Sequence, residues 1–156
     1  CIDIITYDKN TLSDLADNVI RFADKHNVSR SNIIADADGV GGAIPDFIKG
    51  VKSFVNNSRA LNSENYRNLK SQCYYALAEK VNNGLLFIDT KDRSIKQNII
   101  SELELVKQHD IDKDTKLAIT PKDKIKSLLG HSPDIADALI MRCYFECNKS
   151  KIVYFG

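Results

Sequence analysis

No stretch of this chain approaches roughly 18 consecutive apolar residues, so no segment is expected to span a membrane as a helix. The N-terminus has no basic region followed by a long apolar run, and no secretory leader is expected there. Neither sign of charge dominates: 22 Lys and Arg stand against 21 Asp and Glu, a formal +1. A free-standing nucleic-acid-binding domain generally carries a clear basic excess, so any contact with DNA has to come from a local patch. None of the four cysteines, Cys1, Cys73, Cys143 and Cys147, sits in a CxxC pair, which removes the usual spacing for structural zinc. They are expected to be reduced thiols of a cytosolic protein. The chain opens on Cys1 rather than Met and is expected to be a fragment of a longer protein.

What is there suffices for one domain with a sizeable core, and residues 1–156 show no repeat, low-complexity stretch or linker. Strand-like and helix-like segments alternate. CIDIITY reads as a short strand. Thr11 opens a helix, with Asp14 making a near capping box and Leu12, Leu15, Ala16, Val19, Phe22 and Ala23 following at helical spacing. NIIADA, apolar on both faces, reads as a central parallel strand. GAIPDFIKG reads as a short helix, VKSFV as a strand and NNSRALNS as a polar loop. Ser63 is expected to cap a long helix to about Val81, with Tyr66, Leu69, Cys73, Ala76, Leu77 and Lys80 on one face. GLLFI and KLAIT read as strands, separated by a helix from Asp92 to His109. PKDKIKSLLG reads as a short helix, with Pro121 in its first turn and Gly130 at its end. Ser132 and Pro133 are expected as N-cap and first residue of a last helix to about Cys147, and KIVYF as a final strand or tail. The alternation predicts an α/β fold, a sheet with helices on both faces.

The chemistry concentrates in IIADADGVGGAIPD, where an apolar strand ends in Asp36, Asp38 and three glycines. As a phosphate loop it fails: no Lys-Ser/Thr follows Gly41-Gly42, and Ile44 stands where a dinucleotide fingerprint needs its third glycine. As a calcium loop it fails too, with Val40 and Phe47 at the fifth and twelfth positions; DIDKDT has Thr115 in place of the glycine. A metal-catalysis site remains. Functional groups of open α/β sheets gather at the carboxyl ends of strands, hard divalent ions bind carboxylates, and Gly39, Gly41 and Gly42 allow close approach. Partner carboxylates are available in GHSPDIADALIMRCYFE, where Asp134 lies in the first helical turn and Asp137 three residues on. Helix capping is the competing explanation for both.

Taken in order, IIADADGVGG, FVNNSRA, YRNLKSQCYYALAEKV and ITPKDKIKSLLGHSPDIADALIMRCYFE resemble the C-terminal nuclease domain of phage large terminase subunits. The resemblance runs from about Ile33 to Glu146, and Lys122 through Asp137 is its most telling part. It implies a ribonuclease H-like mixed sheet flanked by helices. It also implies a metal-dependent endonuclease that cuts double-stranded DNA during packaging, using Mg²⁺ or Mn²⁺, with two ions roughly 4 Å apart. By resemblance Asp36 and Asp134 are the metal-binding catalytic carboxylates, with Asp137 auxiliary; Asp38 is second choice at the strand end, and is expected to point away or order the loop. Lys122 would neutralise phosphate or orient a water. Asn57 and Arg59, with Asn56 and Ser58, would meet the DNA backbone.

The implied partners are DNA, an ATPase domain on the same full-length chain, the phage portal and the small terminase subunit, in the cytoplasm of a bacterial host. Two departures are visible. The family's first catalytic Asp lies on the opening strand of a hairpin before the first helix; only one strand precedes that helix here, and Asp3 is not taken for that residue. The first hairpin is therefore expected to be missing, and a non-catalytic docking module is the alternative reading. His131 stands where related sequences often carry Arg, and a loop role is expected for it.

Overall fold

The computed structural model describes residues 1–7, 11–38, 40–109 and 115–148. Gly39, residues 110–114 of the rejected calcium-loop segment and the KIVYF segment lie outside the described residues.

Helix α1 (Leu12–Lys25) begins as its sequence predicts. The Thr11 hydroxyl donates to Asp14 Oδ2 at 2.7 Å and accepts the Asp14 N–H at 3.1 Å, closing the reciprocal cap. Strand β1 (Ile34–Asp36) pairs in parallel with β2 (Lys52–Phe54), Asp36 opposite Phe54. The crossover between them holds helix α2 (Ile44–Phe47), with Pro45 in its opening turn. Ile44, Ile48 and Val51 bury against Ala16 of α1 and form a small core on that side.

Helix α3 (Leu69–Asn82) starts later than expected. Asn62 and Ser63 have φ of 57° and 56°, which ends any helix there, and Tyr66 instead bridges Leu117. The cap is Asn68, whose side chain accepts the Ser71 N–H at 2.9 Å. Asn68→Ala is therefore expected to lower stability by about 1 kcal/mol in urea melts, and Ser63→Ala to leave it nearly unchanged.

Asp92 caps helix α4 (Arg93–Glu104), accepting from Ser94 N–H and hydroxyl at 2.8 and 2.7 Å. The helix stops five residues short of His109, because strand β3 (Gln108–His109) pairs antiparallel with β4 (Ala118–Ile119). Helix α5 (Lys122–Leu129) ends on Gly130 at φ 78°, the left-handed cap that glycine adopts without strain. Pro121 stands one position earlier than expected, as N-cap. The same holds at helix α6 (Asp134–Cys147), whose N-cap is Pro133 rather than Ser132.

The main core lies between α3 and α6. Cys73, Tyr74 and Leu77 pack on Ala136, Ile140 and Cys143, and Phe54 of β2 is buried with them. Helix α6 also packs against β1 and α4. The expected single mixed sheet appears, among the described residues, as two two-stranded pieces. CIDIITY and GLLFI do not form a ladder. They meet at Cys1, whose ammonium donates to the Phe87 carbonyl and whose carbonyl accepts the Asp89 N–H. Ile2, Ile5, Leu85 and Phe87 stay exposed along these segments. Among the described residues no helix is long and apolar enough to cross a membrane.

Candidate active site

Asp36 is the last residue of β1, at its carboxyl end. Its Oδ1 accepts the Asp38 N–H and the Asn56 side-chain amide, both at 3.0 Å. Asp38 Oδ2 accepts the same amide at 2.9 Å and the Asn56 N–H at 2.7 Å. Asn56 thus ties the two carboxylates together, and Asp38 orders the loop as expected. Asp38 thereby ties the loop after β1 to the segment after β2. Gly42 belongs to the same device. A Cβ there would stand 2.6 Å from the Ala37 carbonyl oxygen. Gly42→Ala is expected to displace this loop and lower stability by about 1–3 kcal/mol, read from urea midpoints.

The second wall is α6. Asp134 is exposed in its first turn. The Ala136 N–H of that turn is taken at 2.7 Å by the buried Glu102 of α4. Burial pushes the Glu102 carboxyl up, against that hydrogen bond.

Asp137 turns inward and is buried. Its Oδ1 accepts from Lys70 at 2.6 Å and from the Tyr74 hydroxyl at 3.1 Å, and its Oδ2 from Lys122 at 2.8 Å. Burial works to raise the Asp137 carboxyl, but the Lys70 charge and the hydrogen bonds from both lysines outweigh it and hold it below the usual carboxylate range. Burial dominates at Lys70 and pulls its ammonium down, with Asp137 opposing. Burial also works to lower Lys122; the Asp137 hydrogen bond and charge, joined by the charges of Asp36 and Asp134, win and raise it. Tyr74 is pushed up by burial and then by the Asp137 charge.

Asp137 thus bonds the Lys122 ammonium directly, while Asp36 and Asp134 act on it by charge alone. Asn57 and Arg59 stand apart, exposed on the loop after β2, with Asn57 accepting from the Asn68 amide at 3.1 Å. His131 is exposed, its Nδ1 2.8 Å from the Ser132 carbonyl oxygen, as suits a loop residue.

The donor set is of hard carboxylate oxygens, suited to Mg²⁺ or Mn²⁺. Among the described residues no group of three or more His, Cys, Asp or Glu side chains could hold an ion. Both Asp137 oxygens are occupied by lysines. Asp36 and Asp134 are the remaining carboxylates, one each from β1 and α6, in the number that an Mg²⁺ site completed by water and substrate phosphate uses. Asp137 does not fit as a ligand.

No protein-family model matches this sequence, and no curated protein matches it. Solved structures do. A mutant nuclease domain of the large terminase subunit gp2 of bacterial virus Sf6, solved with manganese, gives a TM-score of 0.63 at 20% identity over 81% of this chain and 70% of that one. A mutant of the same domain with calcium gives 0.61 at 20% identity, and the domain solved without a named substitution gives 0.57 at 21%, each with the same coverage. This chain has the fold of a phage terminase nuclease domain.

Within that terminase nuclease fold, three groups escape sequence reasoning: Lys70, Tyr74 and Glu102. A buried lysine carries no signal along the chain. Lys70 and Tyr74 are four apart on the buried N-terminal half of α3, and that i, i+4 spacing was the available hint.

Proposed function

We propose that this chain is the metal-dependent endonuclease domain of a phage DNA-packaging terminase, hydrolysing phosphodiester bonds of double-stranded DNA. One observation carries the reading. The chain has the fold of terminase nuclease domains, and in it Asp36 ends β1 and Asp134 stands in the first turn of α6. Asp36 and Asp134 are the residues that would hold Mg²⁺ or Mn²⁺. When bound, such an ion polarises the phosphodiester and lowers the pKa of attacking water.

The chain's own groups do the rest. Asn56 fixes the Asp36 carboxylate through its Oδ1, Lys122 offers an ammonium to a phosphate oxygen, and Asn57 and Arg59 meet the backbone of the duplex. On this reading DNA reaches the site through the packaging assembly (an ATPase domain on the full-length chain, the portal and the small terminase subunit) in the cytoplasm of a bacterial host. That route suits a domain with a net charge of only +1.

The occupied oxygens of Asp137 favour a second reading, a non-catalytic module that docks a packaging partner. Supercoiled plasmid incubated with Mn²⁺ separates the two. The endonuclease reading expects nicking that a chelator abolishes and that an Asp36→Ala protein lacks. Absence of nicking, both by this chain and by a longer protein carrying upstream sequence, selects the docking module.

A further inference from the structure

The Lys70–Asp137–Lys122 cluster calls for its own explanation. Replacing a buried ion pair by apolar side chains of similar volume is often neutral or stabilising, so the α3–α6 core does not need these charges to hold together. The arrangement is graded. The side chains of Lys70 and Asp137 are 10% and 11% exposed, whereas that of Lys122 is 36% exposed. Lys122 is thus the end of the network that reaches solvent. Lys70 and Tyr74 both bond Oδ1 of Asp137, which fixes the carboxylate plane and leaves Oδ2 as the seat for Lys122. The Lys70 ammonium also lies 5.7 Å from the Tyr74 ring centroid, which locks the two donors to each other.

We propose that Lys70 is a positioning residue: through Asp137 it fixes the Lys122 ammonium, which receives a phosphate of the DNA backbone. Lys70 itself is buried and cannot reach a phosphate. The inference rests on the endonuclease reading for its substrate, and its test reads binding without cleavage.

Each phosphate neutralised adds about 0.9 to the slope of log affinity against log salt for duplex DNA. Binding of a short duplex, followed by fluorescence anisotropy with Ca²⁺ in place of Mn²⁺, is measured across a salt series. Lys122→Ala is expected to reduce the slope by about one unit. Lys70→Met is expected to reduce it by the same amount, and the double variant by no more than either alone. A general loss of folding integrity does not produce that matched, non-additive change in slope.

If Lys70→Met fails to fold, Tyr74→Phe carries the prediction: a buried side chain that loses only its hydroxyl still weakens duplex binding severalfold, and no further in a Lys122→Ala background. A Lys70→Met or Tyr74→Phe protein with the wild-type slope and affinity, beside a Lys122→Ala protein that has lost a unit, overturns the positioning role and leaves the endonuclease reading standing. A wild-type protein that binds no duplex overturns both.

Discussion

Replacing Asp36 with asparagine is expected to slow Mn²⁺-dependent nicking of supercoiled DNA by about a thousandfold, equivalent to about 4 kcal/mol of transition-state stabilisation. Asparagine keeps the shape of the side chain, and its carbonyl oxygen can still accept the Asp38 N–H and the Asn56 amide that now bond Oδ1. The loop after β1 therefore stays in place, and the loss falls on the charge that a divalent ion needs. Asp134→Asn is expected to act comparably, since Glu102 rather than Asp134 caps α6 and the helix keeps its start. Initial rates of plasmid nicking, with melting temperatures as the folding control, check both. A variant that nicks at the wild-type rate would remove that carboxylate from the site.

Asp137→Ala is expected to act on stability. It strands the Lys70 ammonium, whose side chain is 10% exposed, without its partner. Breaking a buried pair from one side costs about 3–5 kcal/mol, a large share of the roughly 5–15 kcal/mol of a typical domain. The melting temperature should fall by roughly 10 °C. Replacing the pair together, Asp137→Leu with Lys70→Met, should recover much of the loss, because no charge is left stranded.

The pH dependence follows from the direction of the Asp137 shift. Its folded carboxyl lies below the unfolded value, held there against burial by the two lysines. Its contribution is therefore full above the ordinary carboxylate pKa of about 3.9 and is lost as pH falls through the depressed folded value. Urea midpoints should drop below about pH 4 in the wild type and drop less in the paired apolar variant. An Asp137→Ala protein as stable as wild type would mean the buried pair is not formed.

Much of the helical framework was legible because caps are local. Thr11 with Asp14, Asp92 before Ser94, and Gly130 after Leu129 each announce an end through a side chain or a left-handed backbone. The start of α3 was not, because Ser63 and Asn68 are both good caps and nothing local disfavours the earlier one. The backbone is left-handed at residues 62 and 63, and the chain around them is engaged at long range, Tyr66 bridging Leu117 and Asn62 donating to the Cys147 carbonyl. CIDIITY and GLLFI carry strand-like patterns, yet pairing needs a ladder, and the backbone hydrogen bonds that tie the first segment to the second and to Asp89 are those of Cys1.

The site divides in the same way. The positions of Asp36 and Asp134 were legible because one ends an apolar strand and the other opens a helix; their assignment as metal ligands rested on the family resemblance. The separation of Asp134 from Asp137 could not. Spacing puts them on one face, but Lys70 and Tyr74, on a different helix, draw Asp137 into the core.

The most direct measurement is a calorimetric titration of Mn²⁺ into the wild-type, Asp36→Asn and Asp134→Asn proteins. A metal centre built from β1 and α6 predicts saturable binding by the wild type, weakened by about tenfold or more in each variant. Equal binding by all three, or none by the wild type, would contradict it.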